Sequence, residues 1–158
     1  MVPSYLLVGL LTALCHSAHG LEFIDKIQQN VEGNTLSLLH DVEDATSVKF
    51  GTSPDSQTQG WKFNTEGFSD DDAVITPSNS SKTLVCEKGS KCKLDLNGSK
   101  QPYRVVRVDE ENPTFTFQDL STSLYVSRTS DLYLELTDVV SESIYFHLAA
   151  IRDNHEEI

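Results

Sequence analysis

Basic residues are scarce in this chain: 12 Lys and Arg stand against 24 Asp and Glu, a formal net charge of −12. A surface so acidic repels phosphate backbones and anionic lipids, which argues against nucleic acid or membrane partners. Cysteine is equally sparse, with three in 158 residues, and there is one tryptophan. Long apolar runs are missing too. The only one, Tyr5 to Leu14, is too short to span a bilayer. Of the histidines after residue 20, His40, His147 and His155, none falls in a nucleophile or metal motif, so no enzyme is expected. Acid pairs abound in so acidic a chain and identify no glycosidase. Asp70-Asp71-Asp72 lacks the spaced ligands and glycine of a calcium loop and reads as a solvated turn. No cofactor and no metal is implied.

What is present begins with a leader. The apolar run ends in small and polar residues, and Ala18-His19-Gly20 fits the small-x-small pattern of signal-peptide cleavage, although no Lys or Arg precedes it. Residues 1–20, Cys15 included, are therefore expected to be removed. Residues 21–158 are then one exported, soluble domain and a monomer. In an exported protein the two remaining cysteines, Cys86 and Cys92, are expected to pair across the small loop between them. Two thiolates without a nearby histidine cannot complete a zinc site, and the spacing is not that of a redox Cys-x-x-Cys. Asn79-Ser80-Ser81 and Asn97-Gly98-Ser99 are glycosylation sequons, which places Asn79 and Asn97 on surface loops. The terminus His155-Glu156-Glu157-Ile158 loosely resembles an endoplasmic-reticulum retention tail, but its last residue departs from the usual Leu, so secretion is the expectation.

Alternation dominates the pattern. VKF at 48–50, KLDL at 93–96, YRVVRV at 103–108, FTF at 115–117 and YLEL at 133–136 read as period-two strands between turn-forming clusters. Only 21–31 leaves helix and strand open. The fold class is all-β. Trp61 and Tyr103 lie 42 positions apart, as do Tyr103 and Tyr145, each at the start of a strand. LVC at 84–86 and LYV at 124–126 are 40 apart, as are LDL at 94–96 and LEL at 134–136; SLL at 37–39 and VKF at 48–50 stand in the same order in a looser first unit. Repeats of this kind mark units that cannot bury an apolar face alone. Three units of four strands predict a β-trefoil, a six-stranded barrel closed by three hairpins, with Trp61, Tyr103 and Tyr145 filling the barrel.

Gln59-Gly60-Trp61, followed by Glu66-Gly67 in a turn, resembles the Gln-x-Trp that ends each unit of the ricin-type β-trefoil lectins. Gln101-Pro102-Tyr103 is a softened copy and Ser143-Ile144-Tyr145 a further departure. In that family an Asp accepts hydrogen bonds from sugar hydroxyls, an aromatic ring stacks on the sugar and polar residues near Gln-x-Trp complete the pocket. The resemblance implies Asp41 as acceptor, Phe50 as stacking face and Gln59 as support, with Thr58 where the family has Asn. The second unit has Cys86-Glu87 at the acidic position and the third has no acid there, so at most one pocket is implied. Phe50 fits the barrel core as well as a platform, and Asp41 fits a turn beside Glu43 and Asp44.

Two functions stay open at this point. One is a carbohydrate-binding module whose partner is a glycan. The other is a trefoil that binds an extracellular protein, as protease inhibitors and cytokine-like ligands do, through loops such as 52–57 and 69–81.

Overall fold

The computed structural model describes residues 22–151. The expected leader, 1–20, and the terminus at 155–158 lie outside the described residues. The first unit holds β1 (Glu22–Val31), β2 (Asn34–His40), β3 (Val48–Gly51) and β4 (Trp61–Asn64). The second holds β5 (Asp72–Pro77), β6 (Thr83–Val85), β7 (Lys93–Asp95) and β8 (Pro102–Asp109). The third holds β9 (Thr114–Asp119), β10 (Tyr125–Arg128), β11 (Leu134–Thr137) and β12 (Phe146–Ala150). The segment that left helix and strand open is thus a strand from Glu22 onward.

Six strands close on themselves. β1 pairs with β4, β4 with β5, β5 with β8, β8 with β9, β9 with β12 and β12 with β1, every pair antiparallel. Closure leaves no free sheet edge within this ring. The pairs β2–β3, β6–β7 and β10–β11 form three hairpins. Backbone bonds join the hairpins to one another: Phe50 N donates to Leu132 O, Cys92 N to Leu134 O and Leu94 N to Thr46 O, each at 2.8 Å. This is the β-trefoil architecture.

Strand register corrects one expectation. Phe63 pairs with Ile75, Val105 with Phe117 and Leu148 with Ile27. Two residues before Phe63, Val105 and Leu148 stand Trp61, Tyr103 and Phe146, all with 0% exposure. The third aromatic is therefore Phe146, one position beyond Tyr145, which is only half-buried. One extra residue ahead of β12 makes the second interval 43, and a slip of one residue turns a strand side chain to the other face. The hairpin match is displaced as well. Leu38 pairs with Phe50, Leu84 with Leu94 and Val126 with Leu136, so the second and third units run 42 apart in their hairpins rather than 40. A slip of two keeps the face, so that reading still found apolar positions.

Trp61 and Tyr103 also bind the hairpins. Trp61 Nε1 donates to Leu38 O at 2.8 Å and Tyr103 Oη to Leu84 O at 3.1 Å, so each ties its barrel strand to the hairpin of its own unit. Burial raises the Tyr103 phenol well above its ordinary pKa, with the Asp119 carboxylate adding to the effect. Through the core Phe50 stacks on Phe146 (6.1 Å) and Phe146 on Phe117 (5.0 Å), while Phe117 meets Phe63 at 5.8 Å with planes tilted by 44°.

Candidate functional site

β2 ends at His40, and the chain turns at once through Asp41, whose φ is +60°. Asp tolerates this left-handed conformation better than most residues because its short polar side chain bonds locally. His40 has 0% exposure and packs edge-on against Trp61, ring centroids 5.0 Å apart. Its Nδ1 lies 2.9 Å from Asp41 Oδ2 and its Nε2 2.9 Å from Gly60 O. Each ring nitrogen thus faces one oxygen, which fixes the orientation of the imidazole. From the next unit Lys82 Nζ donates to Asp41 Oδ1 at 2.6 Å and to Ala45 O at 3.0 Å. Burial alone would raise the Asp41 carboxyl; the bonds from Lys82 and His40 outweigh it and hold the group below its ordinary range. The result is an exposed, ionised carboxylate in a fixed orientation.

Gly60 is confined where this cluster meets the barrel. A Cβ there would overlap Ser78 Oγ and stand 3.0 Å from Ile151 Cδ1. Its carbonyl accepts from Ser78 N at 3.0 Å as well as from His40. The middle residue of Gln59-Gly60-Trp61 is thus fixed by close packing rather than by any ligand.

The three residues of the expected pocket do not converge. Phe50 has 1% exposure and stacks on Phe146 inside the barrel, so it is a core residue and offers no face to a sugar. The alternation VKF marks a strand but not which of its faces points inward. Pairing of Phe50 with Leu38 settles that. Gln59 is half-buried, and its Nε2 donates to Ser53 O and Asp55 O, so its amide shapes the loop ahead of β4. Asp41 alone keeps an exposed functional group.

The softened motif also works structurally. Gln101 accepts from Cys86 N and donates to Cys86 O, both at 2.8 Å, and reaches Asp119 Oδ1 at 3.2 Å. Asp119 has 2% exposure and receives Ser121 Oγ, Thr122 N and Thr122 Oγ1. Burial would raise this carboxyl, but the bonds from Thr122, Gln101 and Ser121 prevail and lower it. By register, Ile144 occupies the third glutamine position, buried at 2%. Sequence reasoning singled out neither Asp119 nor Tyr133. The Tyr133 hydroxyl donates to Glu43 Oε2 at 2.9 Å, while Lys91 Nζ sits 3.7 Å over its ring. One tyrosine thus links all three hairpins, and its ring face is covered by a cation.

Cys86 and Cys92 are bonded, at 2.08 Å, across the turn between β6 and β7. A polar groove of about 580 Å³ between the first and second units is lined by Asn64, Thr76, Ser78, Asn79, Gly98 and Lys100. Both sequons flank it: Asn79 lies in its wall, and Gly98 follows the exposed Asn97. A smaller cleft of about 230 Å³ lies between β1, β5 and the β8–β9 hairpin, with Phe23 and Phe115 among its walls.

No protein-family model matches this sequence, and no curated protein matches it. Solved structures do. The ricin B-like lectin of Macrolepiota procera, determined in complex with lactose, superposes with a TM-score of 0.64 at 14% identity, covering 80% of this chain and 94% of the lectin. SeviL bound to asialo-GM1 saccharide gives 0.61 at 16% identity, covering 79% and 94%. The designed threefold-symmetric protein ThreeFoil gives 0.63 at 13% identity, covering 81% and 99%. Identities this low carry the fold and nothing finer, and together with the closed barrel and its three hairpins they make this chain a β-trefoil.

Proposed function

We propose that this protein is a secreted carbohydrate-binding trefoil and that Asp41 is its hydroxyl acceptor. The observation that carries this reading is the Asp41 carboxylate, exposed and ionised, and braced by Lys82 on one oxygen and His40 on the other. A carboxylate has about four lone-pair sites, so each oxygen can still accept one hydroxyl. Adjacent hydroxyls on a sugar ring suit that geometry, and Lys82 Nζ can donate to a hydroxyl oxygen in return. Likeness in fold to a ricin B-like lectin solved with lactose and to SeviL bound to asialo-GM1 saccharide supports the reading. Gln59 contributes by fixing the loop over 53–59. Phe50 has no part.

The test is the isosteric change Asp41→Asn, which keeps the shape and removes the charge. Affinity for a glycan bound by the wild type, measured by biolayer interferometry, is expected to fall about tenfold or more, a loss of roughly 1.4 kcal/mol or greater. The thermal midpoint should fall, because the charge that Lys82 and His40 hold is lost, so affinities are compared at a temperature where both proteins are shown to be folded. Unchanged affinity would remove Asp41 from the site. Export through the secretory pathway further predicts glycans at Asn79 and Asn97. An intact mass of the secreted protein that does not shift on treatment with peptide N-glycosidase would contradict that.

The second reading, a trefoil that binds an extracellular protein, draws on one observation. Phe23, Ile24, Val106 and Val108 on β1 and β8 are 40–47% exposed. Contiguous apolar patches rather than single side chains mark protein contacts, and β1 and β8 stand on opposite sides of the closed barrel, so the two strands are tested separately. A pull-down of one defined partner from extracellular fluid, lost on Ile24→Glu or Val106→Glu, would favour it; retention would discount it.

A further inference from the structure

We infer that the cleft at the end of the barrel is a saccharide subsite that accepts one neutral or amino-substituted sugar ring. The inference rests on the carbohydrate-binding reading and goes beyond it, because the cleft shares no residue with Asp41 and its neighbours.

The cleft supplies what the Asp41 surface lacks, an open aromatic face. Phe23 stacks on Phe63 with centroids 5.0 Å apart and planes 8° from parallel. One face of the Phe23 ring is thereby covered, yet the residue remains 40% exposed. Phe115 and Val105 form the opposite wall. Strand pairing places these groups: Phe23 lies opposite Phe63, while Arg107 lies opposite Phe115 and Val105 opposite Phe117. A register shift between Arg107 and Asp109 then bends β8 where the cleft opens. Bulges re-aim side chains in this way.

Polar groups stand on the rim. Asp70 and Asp71 are exposed there, and Asp71 O accepts from Val105 N at 2.7 Å, which fixes the acidic turn against β8. Arg107 is anchored by Nε to Asp109 O and by Nη2 to Glu110 O, at 2.9 and 3.0 Å. A guanidinium has five N–H groups, so others remain for a ligand. An apolar wall with a few converging polar groups is the usual form of a small-molecule site. Here the ring face meets the C–H side of a pyranose, the Asp71 carboxylate accepts its hydroxyls and the guanidinium donates to a ring or hydroxyl oxygen. Two carboxylates against one guanidinium disfavour sialylated or sulfated sugars, because like charges repel. At about 230 Å³ the cleft lies below the range of drug-sized pockets, roughly 300–1,000 Å³, so one ring is the natural occupant.

Amide chemical shifts of the ¹⁵N-labelled mature chain, titrated with methyl glycosides of galactose, mannose and N-acetylglucosamine, test this. At least one glycoside should move the amides of Phe23, Asp71, Val105 and Arg107. Asp71→Asn, an exposed change that should not disturb folding, should weaken that response about tenfold. Phe23→Leu, which keeps an apolar side chain but removes the ring, should do the same. Shifts confined to His40, Asp41 and Lys82 would overturn the subsite while leaving the Asp41 reading intact. Shifts at the cleft with methylammonium but with no glycoside would overturn it in favour of a basic partner group. No shift with any probe would overturn it too, and the affinity of Asp41→Asn separately decides the Asp41 reading.

Discussion

At the scale of single residues, the sequence separated chemistry from packing at some positions and not at others. Asp41 was legible as a polar group after a strand because the apolar pattern stops there. Its two braces were not, since Lys82 is 41 positions away and His40 is a histidine inside the core. Phe50 was legible as a strand aromatic but not as a core one, because VKF suits either face. The structure makes a quantitative claim about it. Phe50→Ala should cost about 3–5 kcal/mol, the usual loss for truncating a buried phenylalanine. Urea unfolding of the variant measures this directly. A loss under about 1 kcal/mol, typical of surface changes, would return Phe50 to the surface.

At the scale of elements, the twelve strands were mostly visible and their register was not. β1 was ambiguous because its inward face, from Phe23 through Asp25, Ile27 and Gln29 to Val31, mixes polar with apolar residues. Gln29, 4% exposed, donates its Nε2 to Ser143 O and Tyr145 O, bonds that no local pattern announces, while its Oε1 has no hydrogen-bond partner among the described residues. In the first unit, Ile27 to Leu38 spans 11 positions against 9 in each of the other two, and Leu38 to Phe50 spans 12 against 10. Those longer connections are why that unit looked looser. The single extra residue before β12 is why Tyr145 stood in for Phe146. The β6–β7 hairpin carries a test of its own. Replacing both Cys86 and Cys92 by Ser releases a six-residue separation, and so short a closure should contribute on the order of 2 kcal/mol. Denaturant midpoints of the two proteins compare this. Identical midpoints would mean that β6–β7 pairing and Gln101 hold the turn unaided.

At the scale of the whole molecule, an interval of about 42 residues was enough to reach the trefoil, because three units must place equivalent strands in the same order to close one barrel. Function is less legible at this scale. Of the three glutamine positions of the repeat, one shapes a loop, one bridges to Cys86 and Asp119, and one is Ile144. These positions serve the fold, so their presence does not by itself mark a ligand site. The groups proposed to meet a ligand lie elsewhere, at Asp41 and at the barrel end. Both are carboxylate surfaces on a chain of net charge −12, which favours hydroxyl-rich neutral ligands over anionic ones. The most direct measurement is a glycan array probed with the purified, folded mature protein. The account predicts binding to a defined set of neutral glycans, with sialylated and sulfated ones weaker. An array without a single hit, from protein shown to be folded, would contradict it.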